Sequence, residues 1–176
     1  MALSLYDTTV PSYLQILGSV SRLVGKAEAY CAEQKWAPAD IIGAKLAEDM
    51  LPYGYQVKSA VAHSIGAIEG VRKGLFAPDH FAGLKQLTTD AITKLEGLKA
   101  AELEDFIGRD MRFEFGEMRL DFTAENFLLS FSQPNFYFHA TTAYDILRWK
   151  GMPLGKRDFT GAAAISSTTR PSKMWI

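Results

Sequence analysis

One cysteine, three histidines and a near balance of charge set the first limits on this sequence. With Cys31 alone no intrachain disulfide can form, so the thiol content does not point to an oxidising compartment. Its neighbourhood, Glu28-Ala29-Tyr30-Cys31-Ala32-Glu33, is acidic and disfavours a thiolate, so Cys31 reads as a small packing residue rather than a nucleophile. Nineteen basic residues against twenty acidic ones leave a net charge of −1. Nucleic-acid binders concentrate positive charge to displace counterions, and that class is excluded. No apolar run approaches the ~20 residues of a membrane span. Met1 to Pro11 lacks the basic start, apolar stretch and small-residue cleavage site of a signal peptide. The expectation is a cytoplasmic protein without a membrane partner.

Chemical motifs are scarce too. No glycine-rich segment links a strand to a helix, so a phosphate loop is not supported. There is no Gly-x-Ser-x-Gly elbow, and Ser130 and Ser132 show no partnering base. A pair of metal-binding histidines on one helix needs a spacing of three or four. His63, His80 and His139 fall on three different segments, and Thr142 and Ala143 follow His139 at that spacing. A two-ligand core from His63 and His139 would still lack a third ligand. The expectation is therefore no metal and no cofactor.

What is present is a globular composition, 48% apolar and 22% charged over 176 residues, enough for one real core. From about Ser4 to Gln34, Leu14, Leu17, Val20, Leu23, Val24, Ala27 and Cys31 recur at helical spacing. Pro11 sits where a helix start tolerates it. A short helix is expected over Asp40 to Asp49, and Pro52 opens a second long one carrying Val57, Val61, Ile65 and Ile68. Gly74 to Pro78 form a break. Asp79 to about Leu103 read as a third helix, with His80 at its exposed start and Phe81, Leu84, Leu87, Ala91, Leu95 and Leu98 facing inward.

At Arg109 the period changes to two. Met111, Phe113 and Phe115, then Met118, Leu120 and Phe122, alternate with charged residues about Gly116-Glu117, which predicts a β-hairpin. Thr123 is placed as the N-cap of a fourth helix that kinks at Pro134 and runs to about Trp149. The fold class expected is all-α: an antiparallel four-helix bundle with a short hairpin between helices three and four. It forms one domain over residues 1–161, followed by a loosely held tail, 162–176.

Two polar lines stand out. On helix four, Asn135, His139 and Thr142 share one face, with Phe131 and Phe138 adjoining; on helix two, Gln56, Ser59 and His63 do the same. Facing each other, they would make a polar strip walled by Tyr53, Tyr55, Phe136, Tyr137 and Phe138, the make-up of a small-molecule pocket. The plainer alternative is a hydrogen-bonded core network that sets helix register.

The run Pro134-Asn135-Phe136-Tyr137-Phe138-His139-Ala140-Thr141-Thr142-Ala143-Tyr144-Asp145-Ile146-Leu147-Arg148 is distinctive, as is its close in Gly155-Lys156-Arg157-Asp158-Phe159. With Ser4-Leu5-Tyr6, Lys45-Leu46-Ala47-Glu48-Asp49-Met50, Pro52 and Gln56, it resembles a bacterial and fungal family of unknown function. That family is similar to the DinB/YfiT-like superfamily of four-helix metalloenzyme-type proteins. The resemblance implies the bundle fold, a buried cavity and a homodimer. Active members hold a divalent metal with one histidine from helix two and two, four apart, from helix four; some are thiol transferases or isomerases. Here His139 matches the first helix-four ligand and Ala143 stands in place of the second.

Three functions follow as expectations. The first is a small-molecule-binding bundle, extending to metal-free acid–base chemistry (isomerisation, cyclisation or elimination) on an apolar metabolite. There His139 transfers the proton, since imidazole titrates nearest neutral pH, with His63 as partner and Tyr144 as a further catalytic group. Gln56, Asn135, Phe138, Thr142 and Tyr53 hold the ligand. The second is a metal-dependent thiol transferase or isomerase of the DinB-like type. The third is a non-catalytic dimeric binding or stress-response protein.

Overall fold

The computed structural model describes residues 4–76 and 83–161; His80, Phe81 and the tail 162–176 lie outside the described residues. Helix α1 spans Leu5–Gln34. Ser4 Oγ accepts the Asp7 N–H at 3.0 Å while the Asp7 carboxylate accepts the Ser4 N–H, a reciprocal cap that satisfies two donors the helix start would otherwise leave open. Because the helix starts at Leu5, Pro11 lies inside it rather than at its beginning. The helix ends where Lys35 turns left-handed at φ 58° and the Trp36 N–H closes back on the Cys31 carbonyl.

The short helix α2 is Pro38–Ile42, two residues earlier than expected and not reaching Asp49. Pro38 pre-sets its first turn, and the Asp40 carboxylate accepts the Ala37 N–H. Helix α3 occupies residues 53–73: α-helical over Tyr53–Val61, a π-helical turn over Ala62–Gly66, then α-helical over Ala67–Lys73. Helix α4 is Leu84–Glu96 and α5 is Ala100–Glu104. The sequence expected these as one helix to Leu103, but Gly97 interrupts it. Ala91, Leu95 and Leu98 are buried as anticipated, and Leu84 and Leu87 are partly so.

The hairpin forms as read, with β2 at Asp110–Phe115 antiparallel to β3 at Met118–Thr123 and Phe115 paired with Met118 across Gly116-Glu117. The expected break after Gly74 contains one more strand. Leu75–Phe76, β1, pairs in parallel with β2 and completes a three-stranded sheet in the order β1-β2-β3. Gly70 permits this, since a Cβ there would sit 3.0 Å from the Phe76 Cβ.

Helix α6 occupies residues 124–149, with Thr123 at its N-cap as expected but making no side-chain capping bond. The disturbance expected at Pro134 takes the form of a π-helical turn, Phe127–Ser132, immediately before it. A wider turn relieves the proline ring's conflict with the preceding carbonyls. Helix α7, Lys156–Thr160, folds back on α1 through the Lys26–Asp158 ion pair at 2.6 Å and the Gln15 amide donating to the Thr160 carbonyl.

The protein is mostly helical with one small sheet. Helix α1 packs on α4 and α6, and α3 packs on the same two. Tyr13, Leu17, Tyr53, Phe127, Phe136, Ile146 and Leu147 are buried between them. Each large apolar side chain of this kind stabilises the packed state by about 1.5–3 kcal/mol. No helix among the described residues is long and apolar enough to cross a membrane.

Candidate functional site

The pairing of α3 with α6 brings His63 and His139 together, with ring centroids 5.7 Å apart and planes within 17° of parallel. Each imidazole is held by its Nδ1. His139 Nδ1 lies 2.7 Å from Gln56 Oε1, and the Gln56 amide nitrogen donates to the Leu51 carbonyl at 2.8 Å. That second bond orients the amide, so Oε1 can only accept and His139 Nδ1 carries the proton. Ser132 Oγ donates to the backbone carbonyl of His63 at 2.9 Å and sits 3.3 Å from His63 Nδ1. With its hydrogen committed, the hydroxyl offers a lone pair, and His63 Nδ1 is the donor.

The consequence is shared by both rings: Nδ1 is protonated, and Nε2 keeps its lone pair without a hydrogen bond to any described residue. Burial pulls the pKa of His63 down to about 4, helped by the neighbouring His139, and burial alone lowers His139 to about 4. Both rings are neutral at pH 7 because the charged form loses hydration there. Two parallel neutral bases therefore present acceptors for a donor group, a proton or a cation.

An aromatic frame holds the pair. Tyr55 and Phe138 meet the His139 ring edge-on at 6.1 and 5.3 Å. Phe76 and Phe131 contact His63 at 5.5 and 5.9 Å. Phe131 in turn packs on Phe113 at 4.8 Å and Phe122 at 5.5 Å, so the sheet buttresses the histidines through its inward face. His63 lies within the π-helical turn of α3, and its partner Ser132 ends that of α6, whereas His139 stands in the regular part of α6. Such turns recur at functional sites because they re-aim side chains out of helical phase.

Of the residues anticipated for the site, His63, His139, Gln56 and Phe138 come together. Tyr55 and Phe131 join them as ring contacts, whereas Tyr144, Tyr53 and Phe136 pack elsewhere. Tyr144 packs on Phe159 of α7 at 5.7 Å. Five residues beyond His139, it lies about 140° around the helix. Asn135 Nδ2 donates to the Phe131 carbonyl, and Thr142 Oγ1 donates to the Phe138 carbonyl, each at 2.8 Å, so both side chains are engaged by their own helix. Tyr53 is 2% exposed and lines a separate cavity against α1 and α2. Phe136 is no wall of the site, being buried against Tyr13 at 4.8 Å. Ser132, expected to lack a base, does meet an imidazole. At 0% exposure its hydroxyl positions the ring rather than reaching a ligand.

The metal implied by the DinB/YfiT-like resemblance needs three histidines. His63 and His139 supply two nitrogens, but Ala143 offers a buried methyl at 1% exposure. Among the described residues no group of three or more His, Cys, Asp and Glu side chains converges. The residues present do not fit a three-histidine centre.

Comparison with known proteins agrees with this architecture. The crystal structure of a DinB family member protein from Shewanella denitrificans is similar, with a TM-score of 0.76 and 27% identity over 93% of this chain and 95% of that one. No match was found among curated proteins. The family model described as a domain of unknown function, DUF1993, matches residues 5–160. That match spans nearly all of the fold described above, from the first turn of α1 to the last residue of α7, and the chain belongs to the DUF1993 family.

Proposed function

We propose that this protein binds a small, largely apolar molecule over the His63–His139 pair and acts on it by proton transfer without a resident metal. The observation that supports this best is the shared tautomer: both Nδ1–H groups are anchored, and among the described residues neither Nε2 lone pair has a hydrogen-bond partner. Such a pair selects a ligand carrying a hydrogen-bond donor, a hydroxyl or an amine, on an apolar body that the surrounding rings accommodate.

His139 is the base in this reading. When its Nε2 takes the ligand's proton, the Nδ1–H to Gln56 shortens the charge's reach to a polar oxygen and stabilises the imidazolium. His63, stacked beside it, remains neutral and holds the donor group. An imidazole with a pKa near 4 accepts a proton only when negative charge develops on the ligand alongside it, since an adjacent anion raises its basicity. Proton abstraction followed by isomerisation, cyclisation or elimination meets that requirement. Tyr144, Asn135, Thr142 and Tyr53 have no part in the step.

The setting we propose is a single domain over residues 1–161, an antiparallel four-helix bundle that acts as a cytoplasmic homodimer. The reciprocal packing of α1 and α3 on α4 and α6 supports the bundle. The exposed Phe115, Met118 and Trp149 support a contact between copies. A metal-dependent transferase is the second reading. It draws support from the same anchored Nδ1–H groups, an arrangement that also orients metal-binding histidines.

Thermal-shift screening tests the proposal. Neutral aromatic alcohols and amines are expected to raise the parent's melting temperature, while His139→Gln keeps nearly the parent's own melting temperature and loses the response. Strong destabilisation of His139→Gln, with no compound stabilising the parent, would return the pair to a structural role. That outcome favours the non-catalytic reading.

A further inference from the structure

A second cavity lies away from the histidines, between α1, α2, the first residue of α3 and the start of α4. It has a volume of about 320 Å³ and is walled by Val24, Ala27, Cys31, Ile41, Ile42 and Leu84, with Tyr53 and Glu28 also on its lining. Neither histidine nor Gln56 contributes to it. Its walls are almost wholly apolar, and its size falls at the lower end of small-ligand sites.

One polar atom in this apolar surround has no partner. Tyr53 is 2% exposed, and its hydroxyl makes no hydrogen bond. An unpaired buried hydroxyl costs about 1–3 kcal/mol relative to a paired one. Tyr13 and Thr123 carry such hydroxyls too, but Tyr53 is the one of the three on the lining of this cavity. Glu28 and Cys31 share the lining with Tyr53, and burial, then these two groups, push the Tyr53 pKa up and keep the phenol protonated. Cys31, itself buried, is also held as the neutral thiol by burial and by Asp40.

We propose that this cavity is a ligand site for a neutral, largely apolar molecule of roughly ten non-hydrogen atoms whose carbonyl or ether oxygen accepts the Tyr53 hydroxyl. A phenol donates more strongly than it accepts, so an acceptor is the ligand group that gains most from it. An anionic acceptor is disfavoured, because among the described residues the lining carries the Glu28 carboxylate and no cation. The preference is thus opposite to that of the histidine pair, which offers acceptors to a donor. The two sites take complementary chemistry.

Acetophenone and ethylbenzene test this directly, since they share shape and differ chiefly in the carbonyl. Titrated into isotope-labelled full chain, acetophenone is expected to shift the amide and methyl resonances of Val24, Cys31, Ile41 and Tyr53, and to bind several-fold tighter than ethylbenzene. Tyr53→Phe removes the hydroxyl without changing the ring. It should fold at least as stably as the parent, bind ethylbenzene unchanged, and lose the three- to tenfold advantage of acetophenone that one hydrogen bond supplies. His139→Gln should alter neither affinity, which separates this site from the one proposed above. Shifts confined to other parts of the chain, or equal acetophenone affinity in parent and Tyr53→Phe, would overturn the proposal. So would a Tyr53→Phe variant markedly less stable than the parent, because the hydroxyl would then have a structural partner.

Discussion

Gln56 and Ser132 decide what the two histidines can do. Each supplies an acceptor to Nδ1, and each is itself oriented by a backbone carbonyl, Leu51 for Gln56 and His63 for Ser132. Replacing the Gln56 amide with a carboxylate changes the electrostatics while preserving shape. Gln56→Glu is expected to raise the His139 pKa by a unit or more, as a neighbouring negative charge favours imidazolium. A ¹⁵N-edited titration of the imidazoles checks it, with both parent rings titrating near pH 4.

The same shifts bear on stability. Both histidines have folded pKa values of about 4, below the unfolded value of 6.5. Between those values the unfolded chain binds more protons, so stability is complete above pH 6.5 and falls as the pH drops toward 4. The slope is at most about 1.4 kcal/mol per pH unit for each histidine, and less for the more exposed His139. Urea unfolding between pH 7 and 4 should show this acid limb, and His63→Gln should flatten it. An unchanged limb in that variant would place the acid sensitivity elsewhere.

At the level of elements, the sequence showed most of what a regular period can show. The apolar spacing of Leu17, Val20, Val24 and Ala27 revealed α1, and the alternation about Gly116-Glu117 revealed the hairpin almost to its ends. It also placed His63, Gln56 and His139 on facing lines. What escaped it departs from period. The two π-helical turns shift helical phase, so the meeting of Ser132 with His63 cannot be read from a 3.6-residue repeat. Asn135 and Thr142 fall on the correct line, but nothing in their spacing reveals that each donates to a carbonyl four residues back. A two-residue strand such as β1 has no period at all.

That strand depends on Gly70. A side chain there meets Phe76 Cβ at 3.0 Å and the Leu75 carbonyl at 3.3 Å. Gly70→Val is expected to cost about 1–3 kcal/mol through overpacking. It should also loosen β1, exposing the Arg112 N–H that now bonds the Gly74 carbonyl at 3.1 Å. Chemical denaturation measures the loss, and hydrogen exchange at Arg112 locates it. Because Phe76 and Phe113 lead through Phe131 to His63, the same variant should also disturb the His63 resonances.

For the whole molecule, the decisive question is whether a DinB-like fold without the full histidine set still holds a metal. A dication entering this site gains two neutral nitrogens. No carboxylate contributes to the shift of either imidazole, so nothing nearby offsets the charge. Transferring a divalent ion from water to such surroundings sacrifices hydration that two imidazoles do not replace, which is why protein zinc sites recruit a third or fourth ligand and often an anionic one. The Ala143 methyl, buried where the resemblance puts the third ligand, supplies none. Protein purified without chelator is therefore expected to carry far less than one equivalent of zinc, nickel, manganese or iron by elemental analysis. Added zinc should bind weakly and in competition with protons only below about pH 5, since both Nε2 atoms are already deprotonated at neutral pH. A stoichiometric metal that survives dialysis and disappears in His139→Ala would refute the metal-free proposal and make transferase chemistry the leading reading.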